Sequence, residues 1–139
     1  MWSKSYSVVT NKVTQSQMWK LFSDVNNWHH WDEGIEYAKL SGEFEMGNVI
    51  ALKPKGAPEV KVELLEVIPF KSFLDVTQFP LAKMYDSHSF EETPEGLRIT
   101  DTITVKGLLS FLWVKLVASK IVAGLPVEMK KQIEWAKNL

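Results

Sequence analysis

Apolar positions recur with a period of about two through the first hundred residues and with a helical period through the last thirty. Ser3 to Thr10 alternates and is β-rich, so it predicts a first strand. Thr14-Gln15-Ser16-Gln17 has the form of a capping box, and Met18, Trp19, Leu21 and Phe22 follow, with Val25 one turn beyond Leu21. This predicts a helix over about 15–24 with one apolar face. Val25 to Asp32 reads as a second, tight helical turn rich in aromatics, ended by Gly34. Strands are expected at Ile35–Leu40, Asn48–Lys53, Glu59–Ile68, Lys71–Phe79, Lys83–Glu92 and Leu97–Lys106, separated by Gly and Pro breaks. Within Glu59–Ile68 the strict alternation fails at Leu64-Leu65, which predicts a bulge.

From Leu108 the chain reads LLSFLWVKLVASKIVAGLPVEMKKQIEWAKNL, one long helix expected to bend near Gly124 and Pro126. Its first half is apolar nearly all round, so it must be covered on most sides. Strands in unbroken succession form an antiparallel meander, whose inner face needs covering as well. The expected architecture is therefore α+β: a seven-stranded curved antiparallel sheet around the C-terminal helix, with two short helices between strands 1 and 2. Leu109, Leu112, Leu116 and Met129 are expected to face the sheet. Phe111, Val114, Ala118, Ile121 and Leu125 form a second stripe.

Composition narrows the function classes. At 139 residues the chain fits a single domain with a real core. Net charge is −1, and Arg98 is the lone arginine among sixteen basic residues, which argues against nucleic acid. The absence of Cys excludes disulfides, thiol chemistry and Cys-ligated zinc. The N-terminal residues lack a signal peptide's apolar stretch, so the cytoplasm is the expected location. Leu108–Val127 is near the length of a membrane span, but Lys115 and Lys120 would each cost about 2.5–3.5 kcal/mol inside a bilayer, so no transmembrane segment is expected.

Asp24 to Asn48, DVNNWHHWDEGIEYAKLSGEFEMGN, resembles the N-terminal signature of bacterial polyketide-cyclase-like proteins of the START and Bet v 1-like (SRPBCC) superfamily. LKPKGAP, MYDSHSF, EGLRITDTITVKG and the final helix extend the resemblance over nearly the whole chain, and the Trp28–Trp31 pair with Gly34 is its most specific part. The resemblance implies the helix-grip fold. It also implies a hydrophobic ligand such as a lipid, sterol or polyketide, or activity as a cyclase, hydratase or aromatase. It carries no shared catalytic motif.

Thr93-Pro94-Glu95-Gly96 fixes a hairpin register in which Phe90 faces Ile99, His88 faces Asp101 and Asp86 faces Ile103. The apolar sides of both strands then coincide, which places a His–Asp pair and Asp86 on the inner face. Two readings stand. His88 oriented by Asp101 can act as a general base or polar anchor, or the two can form a structural pair that satisfies itself. His29-His30 with Asp32 is not a metal set, because adjacent side chains on a helical turn diverge by about 100° and no third ligand follows. No metal or other cofactor is expected from the spacing. Of Trp28 and Trp31, one is expected to plug the core and the other to line the cavity mouth. Arg98 falls opposite Glu91 as a surface pair, and Lys115 and Lys120 are expected to reach the surface.

The expected ligand lining is Trp31, Val62, Leu64, Phe73, Met84, His88, Phe90, Ile99, Asp101, Leu112, Trp113 and Leu116. Three functions remain open: binding of a hydrophobic small molecule, a cyclase or dehydratase using His88 and Asp101 for proton transfer, and a homodimerising module that pairs through Ala118, Ile121 and Leu125.

Overall fold

The computed structural model describes Met1–Leu139. Seven antiparallel strands form one sheet in the order β1-β7-β6-β5-β4-β3-β2. They are β1 (Trp2–Thr10), β2 (Ile35–Leu40), β3 (Val49–Pro54), β4 (Val60–Ile68), β5 (Ser72–Phe79), β6 (Ala82–Thr93) and β7 (Gly96–Lys106). Every neighbouring pair except β1–β7 is consecutive in sequence, as a meander requires. β1 joins β7 because the α1 segment and the turn after it carry the chain away from the first strand. That crossover puts the helical elements on one side of the sheet.

The first helix, α1 (Gln15–Ser23), begins as its capping box dictates. The Gln17 amide donates to the Thr14 hydroxyl, and the Gln17 side chain accepts from the Thr14 amide. A 3₁₀ turn at Val25–His30 follows, held where the Trp28 indole donates to the Phe22 carbonyl at 2.9 Å. Trp28 and Trp31 are both buried, so neither lies at a cavity mouth. The two rings pack 6.2 Å apart and sit on Phe22, which leaves no room for one of them to swing outward.

The β6–β7 register matches the hairpin reading: Phe90 pairs with Ile99, His88 with Asp101, Asp86 with Ile103 and Glu91 with Arg98. The β4 bulge falls between Leu64 and Glu66, where the alternation fails. Gly107 turns the chain from β7 into the final helix at φ 125°, and a Cβ there would meet the Leu81 carbonyl oxygen at 2.6 Å. Only glycine permits that approach, which seats the start of the helix over the β5–β6 turn.

The C-terminal helix runs from Ser110 to Ala136 and is long and apolar enough, by length and composition, to cross a membrane. In this fold it packs on α1, β1 and β7. It does not change character at Gly124 or Pro126. It widens to a π-helix at Val114–Ala118 and runs as an α-helix from Ser119 through Pro126 to Ala136. The wider turn rotates the facing row away from the one a 3.6 period gives. Ala118, Leu125, Met129, Ile133 and Ala136 are buried, while Leu116 is 48% and Phe111 72% exposed. Ala118 and Leu125 therefore belong to the inward row, and Leu116 lies outside it. Of the Ala118–Ile121–Leu125 stripe, Ala118 and Leu125 are buried within the fold and Ile121 is half-buried.

The buried apolar residues fall into two clusters. The larger joins α1, the tryptophan turn, the sheet centre and the C-terminal end of the helix through Met129, Ile133 and Ala136. The smaller is Ala82, Ile103, Val105 and Ala118, with Met84, Trp113, Val114, Ile121 and Val122 packed around it. The small side chain of Ala118 lets the helix approach β7 closely there.

Candidate functional site

Strict alternation along β6 and β7 aims Asp86, His88 and Asp101 at the inner face. The structure adds a fourth group. Asp75 on β5 pairs directly with Asp86 and is buried. His88 sits between the carboxylates, with Nε2 3.1 Å from Asp86 Oδ1 and Nδ1 3.7 Å from Asp101 Oδ2. Its ring stacks on Phe73 at 4.4 Å and lies 4.9 Å from Phe22, so apolar faces hold it in place.

Three carboxylates here face one imidazole. No lysine or arginine forms an ion pair with them. Oδ1 of Asp86 and Oδ1 of Asp101 are buried with no hydrogen-bond donor, and the close approach of His88 to Asp86 closes no hydrogen bond. Burial raises the Asp75 carboxyl well above its ordinary range, and Asp86 and Asp101 push it further, while His88 opposes the shift. Asp86 is also raised, first by burial and then by the neighbouring Asp101. The cluster thus holds more negative charge than its surroundings can neutralise, and it keeps protons or attracts a cation. The cluster is reached by solvent, since the Asp86 side chain stays 23% exposed and that of His88 12%.

The expected lining residues divide between two places. Trp31, Val62, Leu64, Phe73, Phe90 and Ile99 are buried together in the larger cluster. There they pack against α1, and the space between them is filled by side chains such as Met18 and Phe22. Met84 and Trp113 pack on the smaller cluster, Leu112 is half-buried, and His88 with Asp101 adjoins the larger one through Phe73 and Phe22; of these only Asp101 is fully buried. Trp113 stacks on Phe79 at 4.5 Å and donates from its indole to the Pro80 carbonyl at 2.9 Å. Leu116 points outward. Lys115 and Lys120 are exposed, as expected, and Arg98 pairs with Glu91 at 3.0 Å. His29 and His30 are surface residues whose rings lie 4.1 Å apart.

Asp75 was not singled out by the sequence. Asp75 shares a face with Phe73 and Thr77 on the strand that pairs with MYDSHSF. Between Met84 and Ser89 every residue of β6 is half-buried, including the inward Met84, Asp86 and His88. This is the stretch of inner face that the helix leaves incompletely covered. Two surface clefts of about 360 and 500 Å³ lie elsewhere, one at the β5–β6 turn beside Gly107 and one between the 3₁₀ turn and β2. Neither includes the cluster, and both are open to solvent.

No protein-family model and no curated protein matches the sequence. Solved structures do match over nearly the whole chain. The crystal structure of Ara h 8.0201 has a TM-score of 0.73 at 12% identity and covers 99% of this chain and 100% of that one. Norcoclaurine synthase from Thalictrum flavum, in complex with dopamine and hydroxybenzaldehyde, has a TM-score of 0.68 at 14% identity, covering 95% and 84%. The di-domain ARO/CYC BexL from the BE-7585A biosynthetic pathway has a TM-score of 0.72 at 14% identity and covers 99% of this chain but 49% of that one. This chain therefore corresponds to about one of BexL's two domains. The shared architecture is the Bet v 1-like helix-grip fold.

Proposed function

We propose that the protein binds a hydrophobic small molecule in the groove between β6 and the N-terminal half of the C-terminal helix. The observation that carries this reading is the incompletely covered inner face from Met84 to Ser89 beneath an apolar helix, with one polar cluster at its floor. Met84, Leu112 and Trp113 supply apolar walls, and His88 with Asp86 supplies the orienting polar contact that such sites use. The larger cluster, with Trp31, Val62, Leu64, Phe73, Phe90 and Ile99, forms the rigid back of the site. Ligand binding by helix-grip neighbours, norcoclaurine synthase among them, supports the reading by analogy of fold.

A second reading has its own observation. His88 is held between two carboxylates, with Asp101 at Nδ1 and Asp86 at Nε2. An imidazole so oriented can take a proton from an enolisable ligand at Nε2 while Asp101 stabilises the charge at Nδ1. That would make the protein an enzyme of cyclase or dehydratase type.

Native mass spectrometry of freshly purified protein tests the first reading. The expected spectrum contains a one-to-one adduct with a small apolar species that disappears on denaturation. A spectrum of unliganded chain alone, unchanged after incubation with a lipid extract, would contradict it. His88→Ala then separates the two readings, because binding that survives with turnover abolished marks proton transfer.

A further inference from the structure

We infer that Asp75, Asp86 and His88 form a binding site for a divalent first-row metal ion, with Asp101 as the group that orients the histidine. One ligand atom from each of Asp75, Asp86 and His88 lies within 4.8 Å of the others. At bond lengths of about 2.1 Å two ligand atoms are about 3.4 Å apart on a tetrahedral ion and about 4.2 Å apart when trans on a six-coordinate one, so side-chain rotations that move an atom by about 1 Å close the set. The His88 Nε2 to Asp86 Oδ1 separation of 3.1 Å already fits. An ion about 2.1 Å from both atoms would subtend about 95° between them, a normal cis angle.

Three further observations point to a cation. The first is the absence of donors. Asp101 is 4% exposed, yet its Oδ1 has no hydrogen-bond partner, and Oδ1 of Asp86 is in the same state. Buried carboxylate oxygens are rarely left without a donor or a cation. The second is charge. Asp75 and Asp86 stand directly opposite each other across β5 and β6, where two carboxylates can be ionised together only if a cation sits between them. His88 is the one basic group within ion-pair reach. The third is the far side of the imidazole. A metal-bound histidine commonly gives its other ring N–H to a carboxylate, and Asp101 Oδ2 lies 3.7 Å from Nδ1.

The donor set identifies the class of ion. Two carboxylates and one imidazole suit Zn²⁺, Mn²⁺ or Fe²⁺ better than Mg²⁺ or Ca²⁺, which favour oxygen alone. Three protein ligands leave at least one coordination position open, facing the groove through which Asp86 and His88 reach solvent. The sequence held no hint of this, because its ligands come from two strands and assemble only through the β5–β6 register. The inference does not depend on an apolar ligand, and its test uses none.

Protein stripped with a chelator and dialysed is titrated calorimetrically with ZnCl₂ and separately with MnCl₂ at pH 7.5. One saturable site per chain is expected for at least one of the two ions, with a higher unfolding temperature in its presence. Asp75→Asn keeps the shape of the side chain and relieves the like-charge pair, so it folds in chelator at least as well as the parent. It should weaken the ion at least tenfold, and Asp101→Asn should weaken it by about 10- to 100-fold. The double change His29→Ala with His30→Ala should leave the affinity unchanged. No saturable binding of either ion up to millimolar concentration would overturn the site. So would binding that survives Asp75→Asn intact, or binding lost with His29 and His30.

Discussion

The two halves of the C-terminal helix are both rich in apolar residues, yet they meet different surroundings. From Leu125 to Ala136, Leu125, Met129, Ile133 and Ala136 form one inward row and are all buried, while Val127 and Trp135 stay exposed. Polar residues on the other side face water, with Lys131 pairing to Glu33 and Glu128. From Leu108 to Ala123 apolar residues surround the helix, but only Ala118 is fully buried. Leu108, Phe111 and Leu116 face outward. Hydrophobicity and burial therefore part company along one helix. The closed half makes the fold, while the open half has apolar surface beyond what the fold uses and lies beside the part of β6 that stays accessible.

Substitutions on the two halves should separate these roles. The largest effect is expected at Met129, which is 3% exposed within the larger cluster. Met129→Ala should cost about 2–5 kcal/mol in urea denaturation, whereas Leu116→Gln should stay within about 0.5 kcal/mol of the parent. Equal losses at both positions would break the distinction. Next comes Ala118, the one point where the open half touches the sheet tightly, against Ala82, Ile103 and Val105. Ala118→Leu should destabilise by about 1–3 kcal/mol through overpacking and shift the helix off β7. Its effect on ligand binding should exceed that of Met129→Ala measured at a temperature where both variants are folded.

The smallest effect is a pH dependence in the closed half. Burial raises the Glu128 carboxyl and the nearby Asp32 charge adds to the shift, while Lys131 opposes it. A carboxyl raised in the folded state favours folding fully below its unfolded value, and that contribution is lost as pH rises through the folded value. Glu128→Gln should therefore stabilise the protein by about 0.3 kcal/mol near neutral pH, a discounted figure for a group with solvent access. The gain should vanish toward pH 4. Denaturation curves at pH 4, 5.5 and 7 check the sign, and a gain that grows as pH falls would contradict it.

Much of the fold was legible in the chain, for identifiable reasons. Period-two alternation and Gly or Pro breaks marked all seven strands. The Thr93–Gly96 turn fixed the register that brings His88 to Asp101, and Thr14 with Gln17 marked the start of α1. The helix phase was not legible. A π segment at Val114–Ala118 leaves no trace in a 3.6-residue pattern, so Leu116 was placed toward the sheet and Ala118 and Leu125 in the second stripe. Asp75 was hidden for a related reason. Its strand, SFLDVTQF, lacks clean alternation, and the following turn carries Leu81 at φ 58° where glycine would have advertised the register. Both tryptophans of the Trp28–Trp31 pair went into the core because Phe22, at the end of α1, packs against each.

The central claim is that a hydrophobic ligand enters the open half and leaves the closed half undisturbed, and the methionines report on both. Met84 lies in the open groove, whereas Met18 and Met129 lie in the closed core. Methyl-labelled methionine NMR during titration with the apolar probe 1-anilinonaphthalene-8-sulfonate reads all of them at once. The account predicts a saturable shift of the Met84 methyl with Met18 and Met129 unmoved. Shifts confined to Met18 and Met129, or to exposed Met1 and Met46, would contradict it.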